Sequence, residues 1–299
     1  MLSSIAEKIY WLSRYIERVE NTSRLINVNS DLLLDIPHDE SNDLKHLIQI
    51  TGHIENFKKP NYKENVFFFL IEDETNPSSI KFSLEMAKMN SRYLLTMLPK
   101  SAWEQFNNLY TDFTISKKMR RNSEDLYQII RNSQRFFAII SDGMQRNDVF
   151  NFIKLGRFIE RADMLSRIIE DQILRKETHV NKYYQNLQWS SVLKSINGYE
   201  SFKTLNKENL NQEIVLNFMI MESLFPRSIK YCVDKLDEVQ KYLPKSVQIK
   251  KTTKKLLDGF SKQNIYKNDK KILKQLDNFQ LGLIMLDKEI SQRFFLTDS

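Results

Sequence analysis

"SRYIERVENTSRLI", Ser13 to Ile26, reads as one amphipathic helix, and the chain carries it twice. "GRFIERADMLSRII", Gly156 to Ile169, repeats Arg14, Ile16, Glu17, Arg18, Ser23, Arg24 and Ile26 in place, with Tyr15 matched by Phe158 and Glu20 by Asp163. Successive residues turn by ~100° on a helix. Leu12, Tyr15, Ile16, Val19, Ser23 and Ile26 therefore share one face, as do Leu155, Phe158, Ile159, Ala162, Ser166 and Ile169 in the second copy. These are the core stripes, and their small members let helices approach closely. Arg14, Glu17, Asn21 and Arg24 form a second stripe, answered by Arg157, Glu160, Met164 and Arg167, while Arg18 and Arg161 project between stripes. Adjacent residues on a helix do not face each other, so Glu17 and Arg18 each need a partner elsewhere. Glu20 with Arg24, and Asp163 with Arg167, read as ordinary ion pairs four residues apart, worth roughly 0.2–0.5 kcal/mol each.

A second cassette repeats as well. "FFFLIEDETNPSSIK", Phe67 to Lys81, aligns with "LNFMIMESLFPRSIK", Leu216 to Lys230, placing Asp73 against Glu222 and Pro77 against Pro226. The offsets are close: 143 residues from Arg14 to Arg157, and 149 from Pro77 to Pro226. Two cassettes in one order at similar spacing point to an internal duplication, with halves of about 1–145 and 146–299 inside one domain spanning 1–299. Two copies are too few for a solenoid. The expectation is a pseudo-two-fold helical bundle.

Composition agrees with helices. The 299 residues include only 6 Gly and 6 Pro, both far below the usual ~7 % and ~5 %, and hairpins and tight turns depend on those residues. The fold class is all-α, with about ten to twelve helices. The periodicity predicts them near 3–34, 42–56, 63–72, 78–98, 101–116, 123–142, 148–177, 185–201, 208–221, 226–243, 248–260 and 268–294, with ends uncertain by ~2–4 residues. In the second cassette Pro77 and Pro226 read as helix openers, with Asn76 as the cap of the first copy and Phe225 a poor cap for the second.

Several function classes fall away. The single cysteine, Cys232, excludes an intrachain disulfide and a Cys-based zinc site, and it reads as a core residue. None of the four histidines, His38, His46, His53 and His179, follows a Glu at the spacing of a di-iron bundle. No metal or cofactor is expected. The glycine patterns that cradle nucleotide phosphates are absent. The longest apolar run, Val66 to Ile71, is far short of the ~20 residues of a membrane span, and the N-terminal stretch does not read as a signal peptide. The expected location is cytoplasmic. Net charge is +7, but Gln240 to Gln275 holds eleven Lys and two Asp, a local +9 that leaves −2 for the remainder. This reads as a solvated lysine face, with nucleic-acid binding as a disfavoured alternative.

The Glu-Arg cassettes admit two readings. If their helices pack against each other, Glu17 can face Arg157 or Arg161, and Glu160 can face Arg14 or Arg18. The cluster of Arg14, Glu17, Arg18, Arg24, Arg157, Glu160, Arg161 and Arg167 is then either a buried ion-pair network that fixes register or a site for an anionic or peptide ligand. Asp73, Glu222 and Arg227 of the second cassette are secondary candidates.

"IYWLSRYIERVENTSRLI", "SLEMAKMNSRYLLTML", "FIKLGRFIERADMLSRIIE", "WSSVLKSINGYESF" and "MESLFPRSIKYC" together resemble the Alpha-E family, bacterial all-helical proteins named for a Glu-Arg motif. The resemblance runs from Met1 to at least Leu243 and weakens over the Lys-rich stretch. Its motif falls on Glu17-Arg18 and Glu160-Arg161, and Glu222 stands where the family has Asp. The resemblance implies partners: an ATP-grasp-type ligase and a transglutaminase-like protein encoded alongside. It thus implies a role in an amide-bond-forming or peptide-tagging system, as a scaffold or peptide-binding component, or alternatively as an enzyme using the Glu-Arg cluster. It assigns no reaction.

Overall fold

The computed structural model describes residues 3–35, 44–115, 123–175, 182–206, 210–243, 247–261 and 265–295. Pro37, Pro244, His38, His179, Lys245 and Lys262 lie outside them. Thirteen α-helices and two short 3-10 turns, and no strand, occur among the described residues. None of these helices is long and apolar enough to cross a membrane. The chain forms two compact units, Met1–Arg157 and Phe158–Ser299.

The first unit contains α1 (Ser3–Asp35), α2 (Lys45–Thr51), α3 (Lys63–Ile71), α4 (Ile80–Ser91), α5 (Lys100–Ile115), α6 (Ser123–Gly143) and the start of α7 (Asp148–Arg175). Helix α1 packs on α4 and α6, and α5 packs on α6. The pattern of α6 shows why: Leu126, Ile129, Ile130, Ser133, Phe136, Phe137 and Ile140 recur every three or four residues and are all buried. Phe136 makes edge contacts with both Phe106 of α5 and Phe137. Fully burying such a side chain contributes about 1.5–3 kcal/mol.

The second unit holds the rest of α7, then α8 (Lys182–Ser195), α9 (Tyr199–Leu205), α10 (Gln212–Met221), α11 (Ile229–Gln240), α12 (Val247–Lys255) and α13 (Asp269–Phe294). Helix α11 packs on α10 and α12, and α12 on α13. Phe218 bridges Phe202 and Phe225, meeting the first edge-on and stacking on the second.

Two of the expected helices are broken, each at residues with positive φ. The 42–56 segment stops at Thr51 because Gly52 and His53 adopt φ of 80° and 66°. The 185–201 segment splits at Asn197, φ 55°. There the Gly198 N–H reaches back to the Leu193 carbonyl and the Asn197 N–H to that of Lys194, a helix stop with Asn in the left-handed position. This split gives thirteen helices where periodicity suggested at most twelve.

The middle of α1 is buried all round. Glu17, Glu20, Thr22 and Ser23 are inaccessible to solvent, and Arg24 is only 7 % exposed. Of the charged stripe, Glu17, Asn21 and Arg24 lie within the core and Arg14 is half-buried.

Candidate functional site

Gly156 of α7 sits so close to α1 that a Cβ there would lie 2.4 Å from the Tyr10 carbonyl oxygen. One turn away, the Ser13 hydroxyl donates to the Ile153 carbonyl at 2.6 Å. Ser13 and Gly156 are aligned positions of the repeated cassette, as are Tyr10 and Ile153. The two contacts therefore exchange roles between copies: the small residue of each meets a main-chain carbonyl of the other.

This close approach places Glu17 beside Arg157, whose Nε donates to the Glu17 carboxylate at 3.2 Å. The same guanidinium lies 3.9 Å from the centre of the Phe137 ring. Glu17 has no solvent exposure, whereas the Arg157 side chain keeps 22 %. Removing one partner of a buried pair strands the other, at about 3–5 kcal/mol.

The second Arg of each Glu-Arg pair takes a different partner. Arg18 donates to the Pro77 carbonyl at 3.4 Å, and Arg161 to the Pro226 carbonyl at 3.1 Å. Pro77 and Pro226 are the aligned prolines of the second cassette, so both arginines tie their helix to the same position of a turn. Each also lies 5.6 Å from the ring centre of the preceding aromatic, Tyr15 or Phe158.

The turns themselves are built alike. Asp73 accepts from the N–H of Thr75 at 2.9 Å, and Glu222 from that of Leu224 at 3.0 Å. These acids therefore close turns. The helices that follow begin at Ile80 and Ile229, three residues after the prolines, capped by Ser79 and Ser228, whose hydroxyls accept from Phe82 N–H and Tyr231 N–H. The expected cap Asn76 instead pins the turn, donating to the Phe69 carbonyl and accepting from Ser78 N–H. Its aligned residue Phe225 does the equivalent work by stacking on Phe218, the residue aligned with Phe69. Arg227 lies half-buried in the turn before α11.

The remaining arginines are held near their own helices. Arg24 pairs with Glu20 at 2.9 Å, and Gln134 of α6 donates to the same carboxylate oxygen at 3.1 Å. With Glu20 inaccessible, this pair is interior. Its counterpart, Arg167 with Asp163 at 3.0 Å, is about one-third to one-quarter exposed. Burial works to lower the Arg167 pKa, but Asp163, Glu160 and Glu170 together hold it above the ordinary guanidinium value. Arg14 lies over the rings of Trp11 and Tyr10. Glu160 and Arg161 are 3 % and 5 % exposed.

A family whose description reads "a predicted alpha-helical domain with a conserved ER motif", Alpha-E, matches residues 1–295. The chain belongs to the Alpha-E family. Neither the curated proteins nor the solved structures contain a match. In this Alpha-E chain both Glu-Arg pairs are buried or half-buried and linked to neighbouring elements. Among the described residues no group of three or more His, Cys, Asp or Glu side chains could hold a metal ion. Cys232 is buried on α11.

Sequence reasoning missed Gly156, the proline carbonyls and Gln134. Gly156 left a signal, since the aligned residue is Ser13 and a small side chain recurs there. The carbonyls left none, because a main-chain acceptor has no residue type. The true caps were legible in the repeated Ser-Ile-Lys of both cassettes.

Proposed function

We propose that this Alpha-E chain is a non-catalytic helical component of a ligase system, acting in the cytoplasm beside an ATP-grasp-type enzyme and a transglutaminase-like protein. The observation that carries this reading is the pair of arginine-to-turn contacts. Arg18 and Arg161 both spend a hydrogen bond on a proline carbonyl, and Glu17, which no solvent reaches, holds Arg157. Groups placed this way serve as struts, while a catalytic acid or base must reach the proton it moves. The family resemblance supports the amide-bond-forming context and the two partners.

The exchange of roles at the α1–α7 crossing, the paired arginine contacts and the paired serine caps also support an internal duplication with pseudo-two-fold symmetry. Close contact between two copies of one motif is what a self-complementary arrangement produces.

The test is reconstitution. An ATP-grasp-type ligase of the kind the resemblance implies is purified with and without this chain, and amide formation is followed by nucleotide turnover and product mass. The expected result is a co-eluting complex whose ligase turnover rises when this chain is added. Product formation by this chain without the ligase, abolished in a folded Glu17→Gln variant, would contradict the proposal.

A further inference from the structure

Helices α12 and α13 leave a groove between them that encloses about 260 Å3. Its floor is apolar, formed by Leu256, Phe279 and Gly282, and Met285 stands at its edge, 59 % exposed. The floor is shaped by close packing: a Cβ on Gly282 would meet a methyl carbon of Leu256 at 2.6 Å. Leu281 and Ile284, also on α13, are 59 % and 60 % exposed. Solvated helix faces do not usually carry three large apolar side chains together.

The rim is basic. Lys251 and Lys255 line the groove and are exposed, and Lys254, Lys270, Lys271, Lys274 and Lys288 are exposed on the same two helices. The groove also holds one carboxylate. Glu289 accepts from the Thr252 hydroxyl at 2.9 Å through one oxygen. Its other oxygen, Oε2, is shielded from solvent and has no hydrogen-bond donor among the described residues.

We propose that this groove docks an acidic peptide segment of a partner protein, anchored by an apolar side chain. Each part of the surface selects that ligand. The apolar floor takes the anchor, and the lysine rim matches flanking Asp and Glu. A nucleic acid fits less well. No described exposed aromatic lies on the floor for a base to stack on. A membrane surface would engage the protruding Leu281, Ile284 and Met285 and leave the recessed floor empty. The inference concerns a surface and stands apart from the reading of the Glu-Arg cassettes.

The probe is a fluorescein-labelled peptide repeating Glu-Glu-Leu-Leu, titrated with the full chain and read by anisotropy. Three comparison ligands run alongside: the same peptide with Ser for Leu, a labelled thymidine oligonucleotide, and vesicles of phosphatidylserine and phosphatidylcholine. Binding of the Leu peptide should exceed that of the Ser peptide. It should weaken by roughly tenfold in a Lys251→Glu, Lys255→Glu variant and by a similar factor in Met285→Asp. All three side chains are exposed, so the variants should keep the helical circular dichroism and melting temperature of the parent. Equal binding of both peptides overturns the groove and leaves only charge attraction. Tighter binding of the oligonucleotide or the vesicles overturns the ligand class, and no binding of the Leu peptide overturns the proposal.

Discussion

Gly156→Ala tests the α1–α7 crossing with a single methyl group. The added Cβ would lie 2.4 Å from the Tyr10 carbonyl oxygen, 3.2 Å from Ser13 Cβ and 3.3 Å from Arg14 Cγ. Carbon–oxygen contacts settle near 3.3–3.6 Å, so the helices must part by roughly 1 Å. Backbone cannot swing aside as a flexible side chain can. Overpacking of this kind costs about 1–3 kcal/mol. Parting also stretches the Ser13–Ile153 hydrogen bond, now 2.6 Å, which is worth about 1 kcal/mol. Against this, Ala gains about 1 kcal/mol over Gly within a helix. The net loss is about 2 kcal/mol, or roughly 4 °C at about 2 °C per kcal/mol for a long chain. Gly143→Ala is the control, because a Cβ there meets nothing within 4 Å. It should leave the melting temperature unchanged or raise it by the equivalent of about 0.4–1 kcal/mol. Scanning calorimetry of both variants decides the matter. If Gly156→Ala melts with or above Gly143→Ala, the close approach is wrong.

Two further outcomes are expected. Arg161→Lys should lose about 1.5–3 kcal/mol by urea unfolding, the usual contribution of a hydrogen bond from a charged donor. Arg18→Lys should lose less, since its contact with the Pro77 carbonyl is longer and its side chain more exposed. At high pH, burial pushes the Tyr266 phenol up to about 12, against about 10 in an unfolded chain. Between those values the unfolded state loses a proton that the folded state keeps, so stability should fall as pH rises through this window. Ultraviolet difference titration of the parent against Tyr266→Phe should remove one late-titrating tyrosine. A parent whose tyrosines all titrate near 10 would contradict this.

The helices were legible because scarce Gly and Pro leave little to interrupt the apolar periodicity. Where positions 42–56 and 185–201 read as continuous, Gly52, His53 and Asn197 break them with positive φ, a backbone choice that periodicity does not encode. The Glu17–Arg157 pair could be foreseen, since the wheel denies Glu17 a partner in Arg18 and the repeat supplies an arginine opposite. The depth of Glu20 could not. A carboxylate four residues before an arginine looks the same on a surface as in a core, and only Gln134, distant in sequence, marks the difference. The prolines misled the cap assignment. Pro is favoured at a first helical position, but each lies within a turn that ends two residues later at Ser79 or Ser228. The partners of Arg18 and Arg161 were hidden because they are main-chain oxygens.

The Glu-Arg cassettes hold the structure together. A double-mutant cycle on Glu17→Gln and Arg157→Gln, followed by equilibrium urea unfolding, tests it most directly. Each single change should destabilise, Glu17→Gln by about 3 kcal/mol because it strands a largely buried guanidinium. The double variant should lose much less than the sum of the two, a coupling within the ~0.5–3 kcal/mol found for residues in contact. Additive losses, or a Glu17→Gln variant as stable as the parent, would contradict the account and return the cassette to the role of a ligand site.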